Sequence, residues 1–368
     1  MGFILVIASF RAGGSTNYVV TWGCEASPFA SNVVSMAAGY NHVLVAKEDG
    51  TVAGSGWYHS DSPYFDTPIT IPEGLTNVIA VSGGDSHSLA LKADGTVVAW
   101  GINTDGQTNL PPDLTNVIAI AAGAKHSLAL MDDGTVIGWG GGGGAVVPLG
   151  LTNIVAIAGG RGDSLALKAD GTVVGWGAGS LSGLPGLSNI VAIGGGDNCC
   201  YSSWMALQAD GRIMYASPFY GNQGPSYSNV IAISVSRGTD GNVSLRLTRD
   251  GAVSGSGYNF GCSQGEPRVP PGLPPALAVA SGDYVYMALI GDGPPPLGPP
   301  LLNLVKDADG FKVSVPTRSG RVYRLEYENA LEDNNWIALP LVAGNGAIRV
   351  LTDTTATGPQ RFYRVRQW

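Results

Sequence analysis

Apolar residues in this chain come in short unbroken runs of four to six, cut by glycine, asparagine and Asp-Gly pairs. Runs of that length without alternation suit strands buried on both faces, and no helical periodicity is present. One phrase recurs. Its clearest copy runs from Asn77 to Gly101, close matches span Asn116–Gly140 and Asn153–Gly177, and looser copies begin at Asn32, Asn189 and Asn229. Each copy predicts three strands, as in Asn-Val-Ile-Ala-Ile, Ser-Leu-Ala-Leu-Lys and Thr-Val-Val-x-Trp-Gly, with a short fourth edge segment in the Pro-containing tail. The Asp-Gly pairs begin at Asp49, Asp94, Asp133, Asp170, Asp210 and Asp250, so the repeat is 37 to 45 residues long. A repeat of that size built from short strands predicts propeller blades.

Asp-Gly between the second and third strands supplies the positive φ angles of a tight hairpin. Gly39, Gly84, Gly123 and Gly160 are expected to do the same at a bend. A seventh pair of first and second strands lies at 276–280 and 284–290, with no third strand after it. Conversely, Asn17–Gly23 reads as a third strand with nothing before it. The N-terminal strand is therefore expected to complete blade seven and to remove the sheet edges of an open ring. The fold class that follows is all-β: a seven-bladed β-propeller closed by the N-terminal strand, followed by a small antiparallel β-sandwich.

The phrase Gly-x-x-His-Ser-Leu-Ala-Leu, then Asp-Gly-Thr-Val-x-x-Trp-Gly, then Gly106-Gln-Thr-Asn-Leu-Pro111, resembles the repeat of the regulator of chromosome condensation family over residues 16–293. The short regular blades are closest in style to bacterial members such as the propeller-type β-lactamase inhibitor proteins. The resemblance implies the fold. It leaves function open, because exchange factors, light sensors, enzyme inhibitors and scaffolds share that fold.

Pro294–Pro300 is a Pro-rich linker, and residues 301–368 beyond it show about five alternating runs that predict the sandwich module. This segment has nine Lys/Arg against seven Asp/Glu, near +2, which leaves about −10 on the rest of a chain whose net charge is −8. Residues 1–15 read as a leader or the remnant of a signal peptide.

Charged residues are only 13% of the chain, against 44% hydrophobic, so disorder is excluded and a large core is available. Candidate chemistry is sparse. His42, His87 and His126 share one repeat position, taken by Asp163 in the fourth copy, so they spread around the ring and cannot converge on a metal ion. Trp22, Trp100, Trp139 and Trp176 are repeat-locked in the same way and are expected to pack blades. The glycines 140–144 lack a following Gly-Lys-Ser/Thr and read as a flexible loop, not a phosphate cradle. No cofactor, metal site or catalytic constellation emerges. Cys24 and Cys262 fall in equivalent loops of neighbouring blades, and Cys199 and Cys200 are adjacent in sequence. Three pairings of these four are open, and the set points to an oxidising, extracellular or cell-surface setting.

With strand one rising and strand two descending, the loops after strands one and three share one face and the invariant Asp-Gly turns lie on the other. Variable loops on a rigid scaffold are where binding is usually built. Their aromatics gather on consecutive blades: Tyr40, Trp57, Tyr58, Tyr64 and Phe65 on blade one, Tyr201, Phe219 and Tyr220 on five, Tyr258 and Phe260 on six, Tyr284 on seven. Tyr and Trp are favoured in protein interfaces. The expectation is a non-catalytic, monomeric, secreted or surface protein that binds a protein partner through this arc. Inhibition of a secreted enzyme is the sharper version. A carbohydrate ligand, or a polysaccharide-acting enzyme using Asp61, Asp66, Asp197 and Asp283, is the alternative. A propeller near −10 without a basic stripe disfavours nucleic acid and anionic membrane.

Overall fold

The computed structural model describes residues 17–23, 29–61, 64–177, 187–198, 201–216, 228–236, 243–257, 268–291, 304–307, 310–328, 336–355 and 361–368. Strands dominate them, and a single 3₁₀ turn at Gly143–Ala145 is the one helical element. Seven antiparallel sheets follow one another through residue 290, and two more lie beyond residue 303. Each of the seven touches the next through its first strand, and the seventh, Ala276–Ser281, touches the first, Val33–Ala38. The sheets thus form a closed ring, described below as blades one to seven.

Blade three is representative. Val117–Ala122, His126–Met131 and Val136–Gly140 form a meander in which Leu128 pairs with both Ala121 and Gly138. All six residues of its first strand are buried, and Leu128, Ala129 and Leu130 are fully so. This two-sided burial is the physical reason for the unbroken apolar runs. A fourth strand is present, among the described residues, only in blade one at Tyr64–Pro68 and in blade seven at Phe29–Ser31. The tails of blades two and three carry Pro111, Pro112 and Pro148, which have no N–H to add to a ladder.

The N-terminal strand, Tyr18–Gly23, lies between Phe29–Ser31 and Val285–Ile290 and pairs with the latter from Tyr18↔Ile290 to Gly23↔Val285. Blade seven therefore joins the two ends of the ring, and Trp22 packs on Tyr286 at 5.9 Å between centroids.

The Asp-Gly turns contain one positive φ each. Gly95 has φ 79° and its N–H bonds Lys92 O, so Ala93-Asp94-Gly95 is a three-residue loop in which the glycine alone takes the positive φ expected of the pair. Asp94 Oδ1 accepts from Thr96 N at 3.0 Å and from Thr96 Oγ1 at 2.6 Å. The repeat asparagines have φ between 57° and 64°. Asn tolerates this left-handed region better than most residues, and Asn77, Asn116, Asn153, Asn189 and Asn229 each lie against the preceding blade's Asp-Gly turn, as where Val78 N bonds Gly50 O.

Beyond the ring, Leu304–Asp307, Gly310–Pro316 and Ile348–Asp353 form one antiparallel sheet, and Val322–Glu328, Ile337–Ala343 and Phe362–Gln367 form another. Val313, Val315, Tyr323, Leu325, Leu351 and Val365 make their shared core.

Candidate functional site: two unlike faces of the ring

The repeat histidines and tryptophans tie blades together. His87 Nε2 lies 3.0 Å from Ser127 Oγ of the next blade, Ser127 Oγ donates to Gln107 O at 2.9 Å, and Trp139 Nε1 donates to the same carbonyl at 2.9 Å. His126, Ser164, Trp176 and Gly144 O repeat the arrangement one blade on. Burial lowers His42, His87 and His126 to about 3, so all three are neutral at physiological pH. Among the described residues no three His, Cys, Asp or Glu are placed to share a metal ion.

This network corrects three expectations. Gly39, Gly84 and Gly123 do not have positive φ; a Cβ on any of them would overlap the following histidine ring. The glycine run is anchored at its end, because Gly144 is buried, its carbonyl takes two hydrogen bonds, and a Cβ there would run into His126. Tyr58 turns inward, 4% exposed, with its hydroxyl 2.7 Å from Ser88 Oγ and its ring edge-on to His42. In blade one Tyr58 stands where Gln107 O and Gly144 O stand elsewhere, so it is not a surface contact.

Around the face opposite the Asp-Gly turns, Tyr40 and Tyr284 meet across the blade one–blade seven junction. Their rings are 5.1 Å apart at 80°, and their hydroxyls are 3.2 Å apart. Trp57 is 40% exposed. It begins a hairpin that continues through Asp61 and returns through Tyr64–Pro68, which places Phe65 and Asp66 on the same hairpin. In blade five the first two strands pair as far as Asn198↔Tyr201, a second extended hairpin. Asp283 is buried. Phe219, Tyr220, Tyr258, Phe260 and all four cysteines lie outside the described residues.

Residues 319–368 dock on the Asp-Gly face at blades three to five. Ser319 Oγ donates to Ile118 O, and Arg349 pairs with Asp132 beside the blade-three turn. Leu341 N donates to Ala169 O at 2.8 Å beside the blade-four turn. Arg366 Nη2 donates to Ala209 O at 3.0 Å, and Arg324 Nη1 donates to Asn189 Oδ1 at 2.9 Å. At the centre Val322, Leu341, Ala343 and Trp368 join one apolar cluster with the inner strands of blades three to six. An apolar centre ringed by arginine and backbone contacts is the anatomy of a protein–protein interface. Sequence reasoning missed this docking; its one visible signal was the opposite net charge of the two segments.

Comparisons agree with this architecture. Residues 78–107 and 117–143, in blades two and three, match the family model of the regulator of chromosome condensation (RCC1) repeat. Prp20p of Saccharomyces cerevisiae, in a crystal structure titled for its binding to Gsp1p and histones, superposes with a TM-score of 0.58 at 17% identity, over 78% of this chain and 93% of that one. The fold is that of an RCC1-like propeller, with the repeat itself matched in two blades. Human WBSCR16 superposes with a TM-score of 0.51 at 17% identity, over 75% of this chain and 99% of its own. Yeast RCC1 (Prp20) bound to Kap60 gives 0.56 at 16%, over 78% and 90%. No curated protein matches the sequence. At these identities the RCC1-like propeller shares a fold with its neighbours, and their ligands are their own.

Proposed function

We propose that this RCC1-like propeller is a non-catalytic protein-binding scaffold whose partner docks on the face opposite the Asp-Gly turns, over blades five, six, seven and one. The observation that carries the reading is the occupancy of the other face. With the Asp-Gly turns of blades three to five engaged by residues 319–368, the loops around Tyr40, Tyr284 and Trp57 are the broad surface left to a partner. The named neighbours Gsp1p, histones and Kap60 are proteins bound by another propeller of this fold, which favours a protein over a carbohydrate. In this reading the chain comprises a propeller of residues 16–293, a linker of 294–300 and a docked module of 301–368, and it acts outside the cell or at its surface. A secreted enzyme, as in the inhibitor resemblance, is the first partner class to try.

The test is capture from a panel of secreted enzymes and the native secretome by the full chain, by Trp57→Ser/Tyr284→Ser and by Asp170→Asn. The reading expects a partner retained by Asp170→Asn and weakened at least tenfold by the double variant, ~1.4 kcal/mol. A partner lost with Asp170→Asn and kept by the double variant overturns the choice of face.

A further inference from the structure

Blades one and seven are held together by packing, and at that junction Tyr40 and Tyr284 meet although they are 244 residues apart in the chain. Their rings stand edge to face, 5.1 Å between centroids at 80°, and their hydroxyls are 3.2 Å apart. Edge-to-face packing is a favoured aromatic geometry, but it does not by itself bring two phenol oxygens into contact. Tyr327 and Tyr363 in the module make the contrast: their centroids are 6.3 Å apart, and the Tyr363 hydroxyl donates to Asp353 Oδ2 at 3.0 Å. The backbone fixes both partners at the junction. Tyr40 N donates to Gly84 O of blade two at 3.2 Å, and Gly282 N donates to Val285 O at 2.8 Å around Tyr284. Both tyrosines are half-buried, so the rings are held in place and a small oxidant still reaches them.

A one-electron oxidant takes an electron and the phenolic proton from a tyrosine, and the radical that remains is shared between the oxygen and the Cε carbons beside it. Cε is two bonds from the hydroxyl oxygen, so hydroxyls in contact bring the Cε atoms of both rings to the same place. Holding two reactants together turns a bimolecular coupling into a unimolecular one. We propose that Tyr40 and Tyr284 form an oxidative cross-linking site, at which a haem peroxidase fed with hydrogen peroxide joins blade one to blade seven as dityrosine. Each phenol gives up one hydrogen atom, and a Cε–Cε bond forms between the two radicals. The ring hydrogens at the joined carbons then move to the oxygens and restore both phenols, while the peroxide leaves as two waters. The bond ties together residues 244 apart, which removes loop-closure entropy from the unfolded chain as a long-loop disulfide does. This goes beyond the partner-binding reading and does not rest on it.

The experiment treats the dilute full chain with a haem peroxidase and hydrogen peroxide, then reads the monomer fraction by peptide mass spectrometry and dityrosine fluorescence. The expected product is a linked peptide pair carrying Tyr40 and Tyr284, two hydrogens lighter than the separate peptides. The linked chain should unfold roughly 5 °C or more above the untreated one. Tyr40→Phe and Tyr284→Phe keep both rings, and each should lose the linked pair and most of the monomer's dityrosine fluorescence. The wild-type peptide pair is a readout that stands even if a variant does not fold. Dityrosine confined to oligomers or to other tyrosines, without the Tyr40–Tyr284 pair, overturns the site. A linked chain that unfolds at the untreated temperature overturns its role as a lock on the ring.

Discussion

His87, Ser127 and the carbonyl of Gln107 show what a repeat position is for. The imidazole has to be neutral to serve a dry blade junction, and burial enforces this by holding His42, His87 and His126 near 3, below the ordinary 6.5. Unfolding returns each to its ordinary value, so the unfolded chain takes up protons that the folded one refuses. Stability is therefore fully present above pH 6.5 and falls with pH down to about 3, each histidine contributing a slope of ~1.4 kcal/mol per pH unit inside that window. Asp49, Asp94, Asp133 and Asp170, lowered by the hydrogen bonds from the threonine two residues on, act in the same direction at lower pH. Unfolding at pH 5 should take up roughly three protons from these histidines, measurable by calorimetry in buffers of different ionisation enthalpy. An uptake below one proton contradicts a neutral buried network.

The N-terminal strand has the largest consequence of any element, because Tyr18–Gly23 bridges the two ends of the ring. Val20→Pro removes a ladder N–H in its middle and should cost ~3 kcal/mol or more. Hydrogen exchange in Val285–Ile290 should rise before that in blade three. Uniform loosening of all blades would mean that the clasp does not close the ring. This strand was readable from sequence because Asn17-Tyr-Val-Val-Thr-Trp-Gly23 carries the signature of a third strand with no first or second before it. Blade identity was readable for the same reason: a strand buried on both faces leaves an unbroken apolar run, and the Asp-Gly turn marks its hairpin. What sequence did not show was where contacts cross between blades. Tyr58 belongs to a loop rich in aromatics, and only the position of Ser88 in the next blade reveals that it points inward. Gly144 looked like part of a loose run because the groups that bond its carbonyl, Ser164 Oγ and Trp176 Nε1, belong to the next blade. Both are long-range facts with no local pattern.

At the scale of the whole molecule, the propeller is a ring with the C-terminal module docked on one face over blades three to five. Trp368 lies beneath Arg324 and Arg366, 5.6 and 4.8 Å from their guanidinium carbons, and within the apolar cluster of blades three to six. The assignment of the partner to the opposite face rests on that docking. Hydroxyl-radical oxidation of the full chain, read by mass spectrometry, compares the two faces in one experiment, since Trp368 is 6% exposed and Trp57 40% exposed. Trp57 should oxidise several-fold faster than Trp368. Comparable rates at the two tryptophans would mean that the module does not cover the Asp-Gly face, and the choice of binding face would fall with it.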